Sequence, residues 1–289
     1  MKFISIIVAW GLVQLWGSAE PVQKDAWFRR WVEQLKPVFG PGTLRLAALV
    51  IGPMLALEIV IWIIDDWLFG LLLLALAVVV LLYSLGRDDL SLLLNDYLRD
   101  WASGDFEGAY QRAIAIGNFA HGDTINDIES LHQRVRRALF YAGFERWFAV
   151  IFWFFLLGPV GALGYRLVYF AGESEALDDE DRRLADQLRH YLDWLPARLM
   201  AASFALTGNF VQSVNCWARS VADNGPVDEL LDHCGCSALS DSSDERAFPG
   251  EQERAIEAGR EELFAVQNLI SRTVICWLVV IALLQLIAF

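Results

Sequence analysis

The sequence predicts an all-α, polytopic helical membrane protein with a broken or re-entrant helix and a cytoplasmic helical insert. Two observations carry this prediction. Of the 289 residues, 56% are hydrophobic, whereas roughly 45–50% is typical of soluble domains. Several segments are also apolar over about the 20 residues that a helix needs to cross a bilayer: 44–64, 67–86, 147–170 and 273–289.

The N-terminal segment, 1–86, is predicted to hold membrane helices and a cytoplasmic loop at 18–42. Residues 3–16 follow Lys2 and resemble the apolar part of a signal peptide. No convincing cleavage site of small residues follows them, and more hydrophobic segments come later in the chain. We therefore expect residues 3–16 to remain as an N-terminal membrane helix.

The net charge of −13 is concentrated in one part of the chain. Residues 171–262 carry eight basic and twenty acidic groups, and the rest of the chain is close to neutral. An acidic chain is a poor partner for nucleic acid, because phosphate contacts need clustered Lys and Arg. The high apolar content also excludes disorder for most of the chain.

The basic residues predict an orientation. The loop 18–42 contains four Lys or Arg, the helical segment 87–146 contains seven Arg, and the turn Asp65-Asp66 contains none. Since basic loops stay on the cytoplasmic side, we expect 18–42 and 87–146 to be cytoplasmic and Asp65-Asp66 to lie outside. The chain is thus predicted to be a multi-pass membrane protein, with the lipid bilayer as a partner.

The side of the membrane that holds 171–262 depends on the apolar segment before it. Residues 157–166 contain Pro159 and three Gly, which is a pattern that breaks a helix. A continuous helix over 147–170 would put the following residues outside, and a broken one would return them to the cytoplasm. Both alternatives stay open.

The remaining segments differ in polarity. Residues 195–215 are partly apolar and suit an interfacial, re-entrant or internally buried helix. The acidic polar region 216–262 contains a linker at 236–253 that is rich in Ser, Asp and Glu. From Arg254 a helical pattern runs over about 35 residues into the C-terminal membrane helix, 263–289.

Motifs of catalysis and metal binding are missing from the sequence. His233-Cys234-Gly235-Cys236 lacks the paired CxxC spacing of zinc sites. Residues 40–43 lack the Lys of a phosphate-binding loop, and the four His are scattered. We therefore predict no catalytic residue, no metal site and no cofactor.

Charged residues within apolar sequence point to a ligand. The segment 147–215 is predicted to be a membrane-embedded, ligand-facing core that contains GPVGALGYR and DWLPAR. Ionisable groups at membrane depth are costly, so they indicate a function by default. Arg166 and Arg198 can hold an anionic or phosphorylated small ligand bidentately, with Tyr165 and Asp193 beside them. The alternatives are a buried Arg–Asp tie or side chains that extend to the interface.

The motifs LGPVGALGYRL (157–167) and DWLPARL (193–199) resemble the AmpE family of inner-membrane proteins linked to β-lactamase induction. The resemblance extends over most of the chain and is loosest over 216–262. It implies a regulatory role in the response to β-lactam antibiotics and cell-wall recycling signals, with a functional link to the AmpD amidase. It also places Asp123 and Thr124 of a retained Gly-Asp-Thr motif among the ligand-binding residues.

The AmpE family is similar in turn to the CobD/CbiB membrane synthases, which form an amide bond in cobamide assembly. That resemblance implies an ATP-dependent enzyme as the alternative. The synthases carry a Glu-Asn pair about a dozen residues before the Phe-Trp that corresponds to Phe152-Trp153. Here those positions are Tyr141-Ala142, and the carboxylate close by is Glu145. Because the acidic group is displaced, we predict a sensor or binding protein rather than an enzyme.

Overall fold

The computed structural model describes residues 2–16, 23, 25–64, 70–86, 90–116, 128–221, 225–239 and 252–287. All regular structure in these residues is helical, which confirms the all-α fold class. The helices are α1 (Lys2–Trp16), α2 (Ala26–Leu35), α3 (Thr43–Ile64), α4 (Leu71–Ser84), α5 (Leu90–Ala102), α6 (Phe106–Ile116), α7 (Ile128–Gly143), α8 (Val150–Leu157), α9 (Pro159–Glu173), α10 (Asp179–Thr207), α11 (Phe210–Ser220), α12 (Val227–Ala238) and α13 (Gln252–Ile287), with a π-helical turn at Phe144–Ala149.

Among the described residues, three helical stretches are long and apolar enough to cross a membrane: Thr43–Ile64, Glu129–Leu157, which runs through α7, the π-helical turn and α8, and Glu257–Ile287. The last lies within α13, whose 36 residues confirm the predicted long helix that runs from polar into apolar sequence. Helix α4 falls within the predicted apolar segment 67–86 but has only 14 residues. It is therefore about 21 Å long, which is shorter than a bilayer core of about 30 Å.

The predicted helix break lies at Gly158. This residue adopts φ +73°, which favours glycine, and Pro159 begins α9. Helices α8 and α9 pack together as a hairpin, and a Cβ on Gly161 would lie 2.5 Å from the carbonyl oxygen of Trp153. The Nζ of Lys2 donates to the carbonyl oxygen of Phe155 at 3.1 Å, near the end of α8.

The chain forms two compact units. Unit 1 contains Met1–Arg87 and Arg146–Pro196, and unit 2 contains Asp88–Glu145 and Ala197–Phe289. Two helical segments pass from one unit to the other, and each is irregular there. One holds the π-helical turn, and the other is α10, which contains Pro196 in its interior.

In unit 1, α9 packs against α3, α4 and α8. The predicted loop 18–42 is not all loop, because it contains α2. Phe28, Val32 and Leu35 are buried on one face of this helix. Their i, i+4, i+7 spacing is that of an amphipathic helix, and burial of this face against the core stabilises the helix.

In unit 2, α7 packs against α12 and α13. Asp105 caps the N-terminus of α6, since its Oδ1 accepts the backbone N–H of Gly108 at 3.0 Å. Both edges of the predicted linker 236–253 are helical, because α12 extends to Ala238 and α13 begins at Gln252. Burial of residues such as Ala238 extends α12 beyond the polar sequence signal, and residues 240–251 lie outside the described residues.

A disulfide joins Cys216 of α11 to Cys234 of α12, with the Cα atoms 5.5 Å apart. The sequence did not predict this pairing. Burial, followed by the nearby Asp232 carboxylate, raises the pKa of the Cys236 thiol to about 12. Cys236 is therefore a neutral thiol at pH 7, which makes it a weak nucleophile.

Candidate functional site

Two of the predicted ligand-binding residues meet in unit 1. The Tyr165 hydroxyl on α9 donates a hydrogen bond of 2.8 Å to Asp193 Oδ1 on α10. Both side chains are about 2% exposed. A buried carboxylate needs such a partner, because leaving it unpaired would be costly. This contact fixes α9 to α10 beside Arg166.

Arg166 is 1% exposed and lies against aromatic rings. Its guanidinium carbon is 4.5 Å from the ring centre of Tyr169 and 5.0 Å from that of Phe170. The faces of these rings attract a desolvated cation. Small residues allow α9 to approach its neighbours closely, and a Cβ on Gly164 would lie 2.7 Å from the sulfur of Met54.

Another buried charge in unit 1, that of Arg45, was not predicted from the sequence. Arg45, near the start of α3, pairs with Asp178 and Asp181 at the start of α10. Asp181 is fully buried and also accepts the backbone N–H of Gly42 at 2.7 Å. The signal available in the sequence was an Arg at the edge of an apolar segment, but its partners lie more than 130 positions away.

In unit 2, Arg198 lines a cleft of about 80 Å³. The Arg198 Nε donates to the carbonyl oxygen of Val221 at 3.1 Å, and Trp217 Nε1 donates to the backbone carbonyl oxygen of Arg198, also at 3.1 Å. Drug-sized ligands occupy pockets of about 300–1,000 Å³, so this cleft fits one small group of a ligand. The cleft is lined by Arg198, Ser220, Gly225, Pro226, Glu229, Leu230 and His233.

The polar side chains of the cleft favour an anionic group. Arg198 supplies a permanent positive charge, and Ser220 and His233 supply groups that can donate hydrogen bonds. The acidic residue of the lining, Glu229, accepts a hydrogen bond of 2.9 Å from Arg137 Nη2. This ion pair partly offsets the negative charge that would otherwise repel an anion.

A network of partly buried ion pairs lies elsewhere in unit 2. Arg136 binds both oxygens of Asp232, at 2.8 and 3.0 Å, and donates to Glu262 Oε1 at 2.7 Å. His132 Nε2 lies 3.0 Å from Glu262 Oε2. The network connects α7 with α12 and α13. Its ion pairs join residues that are far apart in the chain, so the sequence did not predict them.

The other predicted site residues are placed as follows. Arg166 belongs to unit 1 and Arg198 to unit 2, so their joint grip on a ligand stays a prediction. Asp123 and Thr124 lie outside the described residues. Glu145, the carboxylate considered for the synthase alternative, is 8% exposed in the π-helical turn.

Comparison with known proteins decides the family. The chain matches the model of the family described as "Regulatory signalling modulator protein AmpE" over residues 1–287. The chain belongs to the AmpE family. Three helices of the described residues are long and apolar enough to cross a membrane, and together with this AmpE membership they identify the chain as a membrane protein of a family described as regulatory.

A curated relative of this AmpE-family chain is Protein AmpE of Shigella flexneri, which is 26% identical over 152 residues. The match covers 49% of this chain and 52% of the relative. The chain thus spans about half the length of the curated relative that it matches. No solved structure matches the chain.

Proposed function

We propose that this AmpE-family chain is a multi-pass inner-membrane regulator of β-lactamase induction that responds to an anionic product of cell-wall recycling. The family supplies the regulatory role. The observation that carries the ligand is the Arg198 cleft, which combines a buried cation with hydrogen-bond donors. A functional link to the AmpD amidase is part of the same proposal.

In this proposal a phosphate or carboxylate of the ligand occupies the cleft. Arg198 binds it with a charge-assisted hydrogen bond, which is roughly twice as strong as a neutral one. Arg166 and Tyr165 belong to the proposed ligand-binding set through the motif LGPVGALGYRL, and Asp193 belongs to it through DWLPARL, which also contains Arg198. Asp123 and Thr124 complete that set.

Replacing Arg198 with alanine is expected to weaken binding of inorganic phosphate at least tenfold, or about 1.4 kcal/mol. The measurement is the phosphate dependence of thermal unfolding of the purified full chain. Arg219→Ala is the matched control, because Arg219 lies on α11 outside the cleft lining and donates to the carbonyl oxygen of Asn215. Equal phosphate stabilisation of both variants would remove the cleft from the proposal.

The same variants test the role in cells. Deletion of the gene is expected to alter β-lactamase induction on β-lactam challenge, in a manner that depends on AmpD. The wild-type and Arg219→Ala copies should restore it, and Arg198→Ala should not. Restoration of cobamide assembly in a synthase-deficient strain, dependent on ATP, Mg²⁺ and Glu145, would support the enzymatic alternative instead.

Contacts within unit 1 support a cytoplasmic start of the acidic region. Arg45 ties the start of α3 to the start of α10. The basic loop 18–42 directly precedes α3, and basic loops stay in the cytoplasm. We therefore propose that the α8–α9 hairpin is re-entrant and returns the chain to the cytoplasmic side. For unit 2, the Cys216–Cys234 disulfide instead favours a location outside the cytoplasm, because disulfides are rare in the cytoplasm.

Labelling with a membrane-impermeant maleimide decides the side. In a chain with all four native Cys replaced by Ser, Glu175→Cys is expected to react only after spheroplasts are permeabilised. Asp66→Cys should react in intact spheroplasts, since 65–66 is predicted to lie outside. Ala218→Cys reports unit 2 in the same way. Reaction of Glu175→Cys in intact spheroplasts would show that the hairpin crosses the membrane.

A further inference from the structure

An exposed apolar elbow links α10 to α11 in unit 2. The elbow comprises residues 206–211. Leu206 is 67% exposed, Phe210 60% and Val211 63%. The elbow lies outside the three helices that are long and apolar enough to cross a membrane. Clustered apolar side chains at such exposure mark an interaction surface.

Hydrogen bonds attach the elbow to the apolar half of α13. Thr207 Oγ1 lies 3.0 Å from Thr273 Oγ1. One turn earlier on α10, Ser203 Oγ accepts a bond of 2.8 Å from Trp277 Nε1. At this height α13 exposes Ile275, which is 52% exposed. The apolar surface of the elbow is therefore level with the apolar surface of a candidate membrane helix.

Charged residues of the same two helices lie away from the elbow. On α10, Arg198 precedes Leu206 by eight residues, or about 12 Å along the helix. On α11, Arg219 follows Phe210 by nine residues, or about 14 Å. Both helices thus run from a charged end to an apolar end, and the two apolar ends meet at the elbow.

Backbone N–H groups at the elbow are hydrogen-bonded within unit 2. The N–H of Gly208 donates to the carbonyl oxygen of Phe204 at 2.8 Å, and the N–H of Asn209 donates to the carbonyl oxygen of Ala238 at 2.9 Å. The side-chain oxygen of Asn209 accepts the N–H of Gln212 at 3.2 Å. An apolar medium demands such internal pairing, because it offers no water to unpaired backbone groups.

We propose that the elbow is inserted into one leaflet of the lipid bilayer, at the boundary between headgroups and acyl chains. The partner is lipid because the elbow continues the apolar surface of α13. Arg272 is exposed beside Thr273. In this proposal its charged side chain lies at the depth of the lipid headgroups. Of the alternatives for residues 195–215, this proposal selects an interfacial location.

Nitroxide labels test the depth of the elbow in the full chain, in nanodiscs of phosphatidylethanolamine and phosphatidylglycerol. Cys236 and Cys276 are replaced by Ser, which leaves the Cys216–Cys234 disulfide intact. One label is placed at Phe210→Cys and the matched control at Ala218→Cys, eight residues along the same helix. Leu206→Cys provides a second elbow position if Phe210→Cys does not fold.

The expected result is a severalfold higher ratio of oxygen to nickel-chelate collision rates at the elbow than at position 218. Equal access of the nickel chelate to both positions would overturn the proposal. An elbow label shielded from both reagents and broadened by a neighbouring label would also overturn it, because a second copy of the chain would then cover the elbow.

Discussion

Replacing Arg136 with alanine is expected to lower the free energy of unfolding by about 3–5 kcal/mol. The substitution removes the cation that binds Asp232 through two hydrogen bonds and Glu262 through a third. The two carboxylates then remain within unit 2, only 13% and 27% exposed, without that partner. Denaturant unfolding in detergent, followed by circular dichroism, measures the loss.

Arg260→Ala is the control for this prediction. Arg260 is half-exposed and lies 3.9 Å from Glu257 on the surface of α13. Such pairs contribute about 0–1 kcal/mol, so the control should unfold close to the wild type. The free energy of unfolding of Arg136→Lys is expected to lie between those of Arg136→Ala and the wild type, since an ammonium group keeps the charge but cannot reproduce the bidentate bond. Similar unfolding of Arg136→Ala and Arg260→Ala would contradict the importance of the network.

Arg45→Ala is expected to be the most damaging substitution in unit 1, at about 3 kcal/mol or more. Asp181 is fully buried and would lose its cation, although the bond from the Gly42 N–H would remain. Asp178→Asn should be mild, because that side chain is 53% exposed. Thermal unfolding ranks the variants, with exposed Arg183→Ala as the control.

The same pair predicts a pH dependence. The hydrogen bond and positive charge of Arg45 hold the pKa of Asp178 below its ordinary value of 3.8. The contribution of Asp178 to stability is therefore present above about pH 4 and is lost as the pH falls through the lowered pKa. The stability gap between wild type and Arg45→Ala should narrow on acidification through that range. A gap that widens instead would contradict the pairing.

Features set by neighbouring residues were predictable from the sequence. Gly158-Pro159 breaks the helix because glycine tolerates a positive φ and proline has no backbone N–H to donate a hydrogen bond. The Asp105 cap and the length of α13 follow from similarly local signals. Helix α2 was overlooked within 18–42, although Phe28 and Val32 already showed a helical spacing.

Features set by distant residues were not predictable. Arg45 contacts Asp181 only because α3 and α10 pack together, and the local sequence at neither position predicts the pairing. The same holds for Arg136 with Glu262, 126 positions apart. Arg198 was identified from its motif, but its cleft depends on α11 and α12, which the acidic composition of that region did not reveal.

The irregular helix at the two described crossings between the units has a mechanical consequence. A regular α-helix is stiff because every turn is held by backbone bonds. Pro196 lacks the N–H that would bond to the carbonyl of Leu192, so α10 bends most easily where the chain leaves unit 1. In the other helical segment that passes between the units, the π-helical turn Phe144–Ala149 interrupts the regular α-helical hydrogen bonds. Bending of these two helical segments is thus concentrated at Pro196 and at the π-helical turn.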